Sequence, residues 1–136
     1  MKGWYTRLKK YNKLVRDKIP EIIEKDGKIV KLHILSDEEY LVALDKKLLE
    51  EVKEYQEDKN LEEMADILEV LHAICRARGY RLEDLEAKRS EKVKKRGGFE
   101  NKIFLESVKE LESERTASVT DIKALKKWNK LSSQDK

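Results

Sequence analysis

The sequence predicts an all-α protein, and three observations support that prediction. Apolar residues recur with helical spacing over residues 41–55 and 61–78. Ser36 and Glu39 have the spacing of a capping box, which begins a helix running to about residue 58, and the polar residues 58–60 separate it from the next helix. A third long helical pattern covers residues 82–96 and ends at two glycines. Together these patterns predict a helical bundle.

The remaining elements follow in chain order. Residues 11–25 form a lead-in and a short helix that tolerates Pro20 in its first turn, and a turn follows at Asp26 and Gly27. Residues 29–35 alternate apolar with polar side chains, which we interpret as an extended linker with slight β character. Asn60 can cap the second long helix, and Gly79 ends it in a left-handed conformation.

The end of the chain carries two further helical patterns, over residues 106–115 and 121–131. Their apolar residues predict a helical extension that covers the bundle or a partner subunit; these residues are Val108, Leu111, Ile122, Leu125 and Trp128. We therefore expect a domain over residues 1–105 and a C-terminal helical extension over residues 106–136.

Two acidic pairs lie on the first two long helices. At about 100° per residue, Glu63 falls inside the apolar arc of its helix and Asp66 at the margin of that arc. Glu51 and Glu54 lie near the apolar side of the preceding helix, so four carboxylates would rim one helix interface. Clustered carboxylates need cations beside them, and oxygen ligands in this number suit Mg²⁺ or Mn²⁺. The alternative is that Glu63 is a capping acid in the first turn of its helix. In a chain of which 43% is charged, the same acidic spacings also arise by chance on helix faces that contact solvent.

A resemblance to a known family rests on four motifs in order: KLVRDKIP at 13–20, LLEEVKE at 48–54, EEMAD at 62–66 and KVKKRGGF at 92–99. Over roughly residues 11–105 the chain resembles the MazG-like branch of the all-α NTP pyrophosphohydrolases, and it is similar to phosphoribosyl-ATP pyrophosphohydrolase. The resemblance implies a MazG-like bundle with antiparallel long helices, completed by association into a homodimer or homotetramer. It also implies Mg²⁺ bound by four acids, with Mn²⁺ as a substitute: Glu51, Glu54, Glu63 and Asp66.

The resemblance further implies hydrolysis of a nucleoside triphosphate to the monophosphate and pyrophosphate, either as a house-cleaning activity or on a phosphoribosyl-ATP-like substrate. Glu50 would orient or deprotonate the attacking water beside Glu51, so these two residues are the expected catalytic pair. Four basic residues would hold phosphate charge: Arg16, Lys18, Lys92 and Arg96. Lys92 and Arg96 lie one helical turn apart, although a solvated basic face has the same pattern.

The composition excludes several other classes. A formal charge of +3 on 136 residues gives no general case for nucleic-acid binding. Cys75 is the only cysteine, which excludes an internal disulfide and favours a reducing compartment. No apolar stretch is long enough to span a membrane and the N-terminus lacks the apolar core of a signal peptide, so we expect a cytoplasmic protein.

Two other functions fit the same residues. One is a non-catalytic helical interaction module, in which the acids form structural salt bridges with Lys53, Lys92 and Arg96. The other is a nucleic-acid-binding protein that uses the basic stretch at residues 88–96, whose affinity would fall steeply with salt.

Overall fold

The structure is a computed structural model that describes residues 7–111 and 126–128. Within residues 7–111 it contains four helices and no strand, and residues 126–128 are also helical, so the all-α prediction is confirmed for the described chain. The helices are α1 (Ile19–Lys25), α2 (Asp37–Asp58), α3 (Leu61–Ala77) and α4 (Leu82–Arg96). The chain divides into two compact units, Met1–Gly97 and Gly98–Lys136, and the first contains all four of these helices.

Helices α2 and α3 form an antiparallel hairpin. Their connection is only two residues long: Lys59 adopts a left-handed conformation, and the Asn60 side chain accepts a hydrogen bond of 3.0 Å from the backbone N–H of Glu63. At the other end of the hairpin, Arg78 Nη2 lies 3.7 Å from Asp45 Oδ2. The predicted break and the predicted cap at Asn60 are both confirmed.

The outer ends of the hairpin are also fixed by local chemistry. The Glu39 N–H donates to Ser36 Oγ at 3.2 Å and the Ser36 N–H donates to Glu39 Oε1 at 3.1 Å, which completes the predicted capping box. After α3, Gly79 has a φ of +85° and the Tyr80 N–H donates to the Cys75 carbonyl at 2.9 Å. This is a Schellman turn, so the predicted left-handed glycine ends α3.

The core of the described chain is small. Its buried apolar residues are Leu44 on α2 and Val70 and Cys75 on α3. Helix α4 packs on α3, and the Cys75 thiol donates to the Arg81 carbonyl at 3.4 Å. Helix α1 packs on none of the other three described helices. Much of the apolar surface of α3 therefore remains exposed.

One prediction about the C-terminal extension is wrong for the residues of it that the structure describes between 106 and 111. Residues 106–111 contain no helix, although a helix was predicted over 106–115; residues 112–125 and 129–131 lie outside the described chain. Val108 and Leu111 are both exposed. A short helix is unstable in water unless it buries an apolar face, and helical spacing alone does not supply one.

The predicted linker before α2 and the expected lack of a membrane span can both be compared with the described chain. Residues 28–35 have no regular secondary structure, in agreement with a linker, because an isolated strand has no partner to bond with. Among the described residues, no helix combines the length and the apolar character needed to span a membrane.

Candidate metal centre

Four carboxylates meet beside the connection between α2 and α3. Glu51 and Glu54 lie one turn apart near the end of α2, and Glu63 and Asp66 lie one turn apart near the start of α3. Each offers one oxygen, and the four oxygens all lie within 4.8 Å of one another. The hairpin turns the chain back at Lys59 and Asn60, so it brings together the acids that the sequence predicted on one rim. We call these four residues the acidic cluster.

Two oxygens of the acidic cluster are buried without a hydrogen-bond partner in the described chain. They are Glu51 Oε2 and Glu63 Oε2, and Glu51 as a whole is only 6% exposed. Buried carboxylate oxygens are normally hydrogen-bonded, since desolvation is costly. A bound cation would satisfy both, and a set of four carboxylates has the hard donor character that Mg²⁺ and Mn²⁺ prefer. The residues present therefore fit such an ion.

Two acids of the cluster, Glu51 and Glu63, also have raised pKa values. Burial raises the pKa of Glu51, and the neighbouring Glu54 adds to the rise, while Lys47 opposes it. Desolvation also raises the pKa of Glu63, and the charges of Asp66 and Asp58 push it in the same direction. Both groups thus hold their negative charge at a cost that a cation beside them would remove.

Lys47 is a residue that the sequence analysis missed. Its Nζ lies 3.2 Å from Glu51 Oε1 and 3.4 Å from Glu50 Oε1, and only 15% of its side chain is exposed. One ammonium group on α2 therefore holds two successive carboxylates. The available signal was the spacing, because Lys47 precedes Glu50 by three positions and Glu51 by four.

Glu50 also binds a cation from the N-terminal segment. Lys13 Nζ donates to Glu50 Oε1 at 2.7 Å, a contact between residues 37 positions apart. Burial raises the pKa of Glu50, but the hydrogen bond from Lys13 and the charge of Lys47 outweigh it, and the net shift is downward. The same hydrogen bond raises the pKa of Lys13.

Arg16 reaches the acidic cluster itself. Its Nη2 donates to Asp66 Oδ1 at 2.6 Å, across 50 positions of sequence. Lys18 is exposed at the N-cap of α1, and within residues 7–111 it forms no ion pair. Of the two substrate-binding residues predicted in this segment, the structure therefore brings Arg16 to the site, while the role of Lys18 stays a prediction.

The other predicted phosphate-binding pair lies on α4. Lys92 and Arg96 are exposed and one turn apart in the second half of that helix, and their role stays a prediction. Nearby, Glu91 accepts hydrogen bonds from Lys95 at 2.9 Å and from Lys88 at 3.1 Å, which lower the pKa of Glu91 to about 2. This face of α4 is rich in ion pairs within the helix.

No model of a protein family matches the chain, and no solved structure matches it. The chain is similar to a protein of Mycolicibacterium smegmatis described as an uncharacterized protein, with 56% identity over 41 residues. The match covers 30% of this chain and 42% of that protein.

Proposed function

We propose that the protein is a Mg²⁺-dependent nucleoside triphosphate pyrophosphohydrolase that releases the nucleoside monophosphate and pyrophosphate. The observation that carries the proposal is the acidic cluster: each of its four carboxylates offers one oxygen within 4.8 Å of the others, and two oxygens of the cluster are buried without a hydrogen-bond partner in the described chain. The order of the sequence motifs supports the same reaction.

The acidic residues have separate roles in this proposal. Mg²⁺ bound by Glu51, Glu54, Glu63 and Asp66, with Mn²⁺ as a substitute, would neutralise phosphate charge and lower the pKa of a coordinated water. Glu50 adjoins the cluster in sequence, and Lys13 and Lys47 both contact its Oε1. Its second oxygen would orient the attacking water. Glu51 is the ligand held most rigidly, since it is buried and paired with Lys47.

The substrate is a nucleotide of the house-cleaning or phosphoribosyl-ATP-like class. Arg16, Lys18, Lys92 and Arg96 would hold its phosphates through charge-assisted hydrogen bonds. The ring of Tyr11 offers a stacking surface for the base: it is 59% exposed, and its centroid lies 5.9 Å from Lys13 Nζ, which in turn binds Glu50.

We further propose that two or four copies of the chain associate through α3. Four apolar residues spaced three or four positions apart lie on one exposed face of that helix: Leu61, Met64, Leu68 and Leu71. This spacing is typical of a helix that packs against another helix. The small core of the described chain supports an association that buries this face, and the shared interface would complete the bundle.

The test is pyrophosphate release from a panel of NTPs and dNTPs, with and without Mg²⁺. The decisive variant is Glu63→Gln, and the matched control is Glu62→Gln, the same change at the exposed neighbouring position. We expect metal-dependent release that Glu63→Gln abolishes and Glu62→Gln retains. Release that is equally fast without metal, or equally fast in Glu63→Gln, would contradict the assignment.

The alternative is a non-catalytic helical interaction module with structural acidic and basic salt bridges. The ion pairs within α4 and the exposed face of α3 favour it. It predicts no pyrophosphate release from any nucleotide and a thermal stability that does not respond to Mg²⁺. The two buried carboxylate oxygens argue against it, because they have no hydrogen-bond partner in the described chain although Lys47 already binds the other oxygen of Glu51.

A further inference from the structure

The N-terminal segment approaches the acidic cluster from outside the helical hairpin. Lys13 binds Glu50 on α2 and Arg16 binds Asp66 on α3, so two residues of one irregular segment contact both helices of the site. We call Lys13 and Arg16 the basic arm. Helix α1, which follows the arm, packs on no other described helix. Two ion pairs thus hold the arm at the site.

We propose that the basic arm is a phosphate-binding element whose two cations exchange the carboxylates of Glu50 and Asp66 for phosphate oxygens when metal and substrate bind. The proposal rests on the proposed function, since it assigns the substrate contacts of the same site. It adds Lys13 to the residues proposed to bind phosphate, and it identifies Asp66 as the partner of Arg16 in the protein without substrate.

The exchange is favourable because both ion pairs are easily broken. The side chain of Lys13 is 39% exposed and that of Arg16 is 55% exposed, so solvent screens both pairs. Exposed ion pairs of this kind add little to the stability of the folded protein. A phosphate group carries more negative charge than a carboxylate, and the planar guanidinium of Arg16 can donate two parallel hydrogen bonds to it.

The charges around the site also favour such an element. The four acids of the cluster and Glu50 contribute five carboxylates, and three cations that contact them are Lys13, Arg16 and Lys47. Lys47 is nearly buried between Glu50 and Glu51 and so stays with them. Lys13 and Arg16 are the exposed cations of the three, and they are the ones able to turn towards an incoming polyphosphate.

The experiment measures binding of inorganic tripolyphosphate, a base-free mimic of the triphosphate, by calorimetry in the presence of Mg²⁺. Lys13→Met and Arg16→Met remove the two cations and keep most of each apolar stem. Lys10→Met makes the same change in the same exposed segment and serves as the control. We expect each arm variant to weaken tripolyphosphate binding at least about tenfold, and Lys10→Met to change it less than about twofold.

A second readout is Mg²⁺ binding without polyphosphate. Because Arg16→Met releases Asp66 Oδ1 from its ion pair, we expect Mg²⁺ to bind this variant as tightly as the wild type or more tightly. Weaker Mg²⁺ binding would show that Arg16 serves only to hold the cluster together, and would overturn the exchange. So would tripolyphosphate affinities equal to the wild type in both arm variants, or an absence of binding by the wild type.

Failure of the proposed function looks different. If no nucleotide is hydrolysed while tripolyphosphate binding still depends on Lys13 and Arg16, the arm is supported and the hydrolase assignment is not. If hydrolysis is metal-dependent but the arm variants bind tripolyphosphate normally, the hydrolase assignment stands and the arm is wrong.

Discussion

The ammonium group of Lys47 lies 3.2 Å from Glu51 Oε1, and both side chains are largely shielded from water, with 15% and 7% exposed. The other oxygen of Glu51, Oε2, has no partner in the described chain and belongs to the least exposed acid of the acidic cluster. Lys47 therefore fixes one side of the Glu51 carboxylate, and in the proposed metal site the other side would face the cation. This arrangement makes Lys47 a positioning residue of the candidate metal centre.

Replacing Lys47 by Met should reduce stability substantially. Removing one partner of a buried pair leaves an uncompensated charge, which typically costs about 3–5 kcal/mol. We expect Lys47→Met to lose about 3 kcal/mol of unfolding free energy in urea denaturation, near the lower end, since a small part of Lys47 remains hydrated. Lys46→Met, the same change at the exposed neighbour, should stay within about 0.5 kcal/mol of the wild type.

Mg²⁺ binding by variants of Lys47 distinguishes the orientation of Glu51 from the effect of the positive charge alone. Loss of a positive charge near the acidic cluster would by itself strengthen Mg²⁺ binding, whereas loss of the orientation of Glu51 would weaken it. We expect weaker binding in Lys47→Met by calorimetry and partial recovery in Lys47→Arg. Tighter binding in Lys47→Met would show that its charge, not its hydrogen bonds, matters.

Removing one acid of the cluster should stabilise the metal-free protein. Glu63 has a raised pKa in the folded protein, so folding favours its protonated form. That contribution is fully present below the ordinary pKa of 4.5 and is lost as the pH rises through the raised value. At pH 7, with a chelator present, we expect Glu63→Gln to melt a few degrees above the wild type, and the difference to shrink as the pH falls towards 4.5.

Magnesium should reverse that order. The wild type gains stability from an ion that binds only the folded state, while Glu63→Gln lacks one ligand and gains less. Thermal unfolding with and without Mg²⁺ measures both effects, and Glu62→Gln is the control. A variant that melts below the wild type in chelator would mean that the Glu63 carboxylate is stabilised by contacts within the protein.

A charge on the exposed face of α3 should dissociate the protein. Leu68 is 52% exposed and lies on the apolar face formed with Leu61, Met64 and Leu71. We expect Leu68→Glu to be monomeric by light scattering where the wild type is a dimer or tetramer. Glu69→Lys, a change of charge at an exposed position outside this face, should keep the wild-type mass. A monomeric wild type would remove the basis for association through α3.

The sequence alone determined the helices of the first unit and their ends. The capping box at Ser36, the cap at Asn60 and the left-handed Gly79 each depend on hydrogen bonds and backbone preferences within a few residues, so their patterns can be read locally. The meeting of the four acids also followed, because helical spacing places each pair on one side of its helix and the short break at 58–60 turns the chain back.

Only the tertiary structure decided which cations contact these acids and which acid is buried. The contacts of Lys13 with Glu50 and of Arg16 with Asp66 join residues 37 and 50 positions apart, and they depend on the path of the irregular linker between α1 and α2. Burial of Glu51, and with it the orphaned oxygen, likewise depends on how α3 packs against α2. Residues 106–111 show the converse: helical spacing gave the wrong structure there, because a helix that short forms only where packing stabilises it.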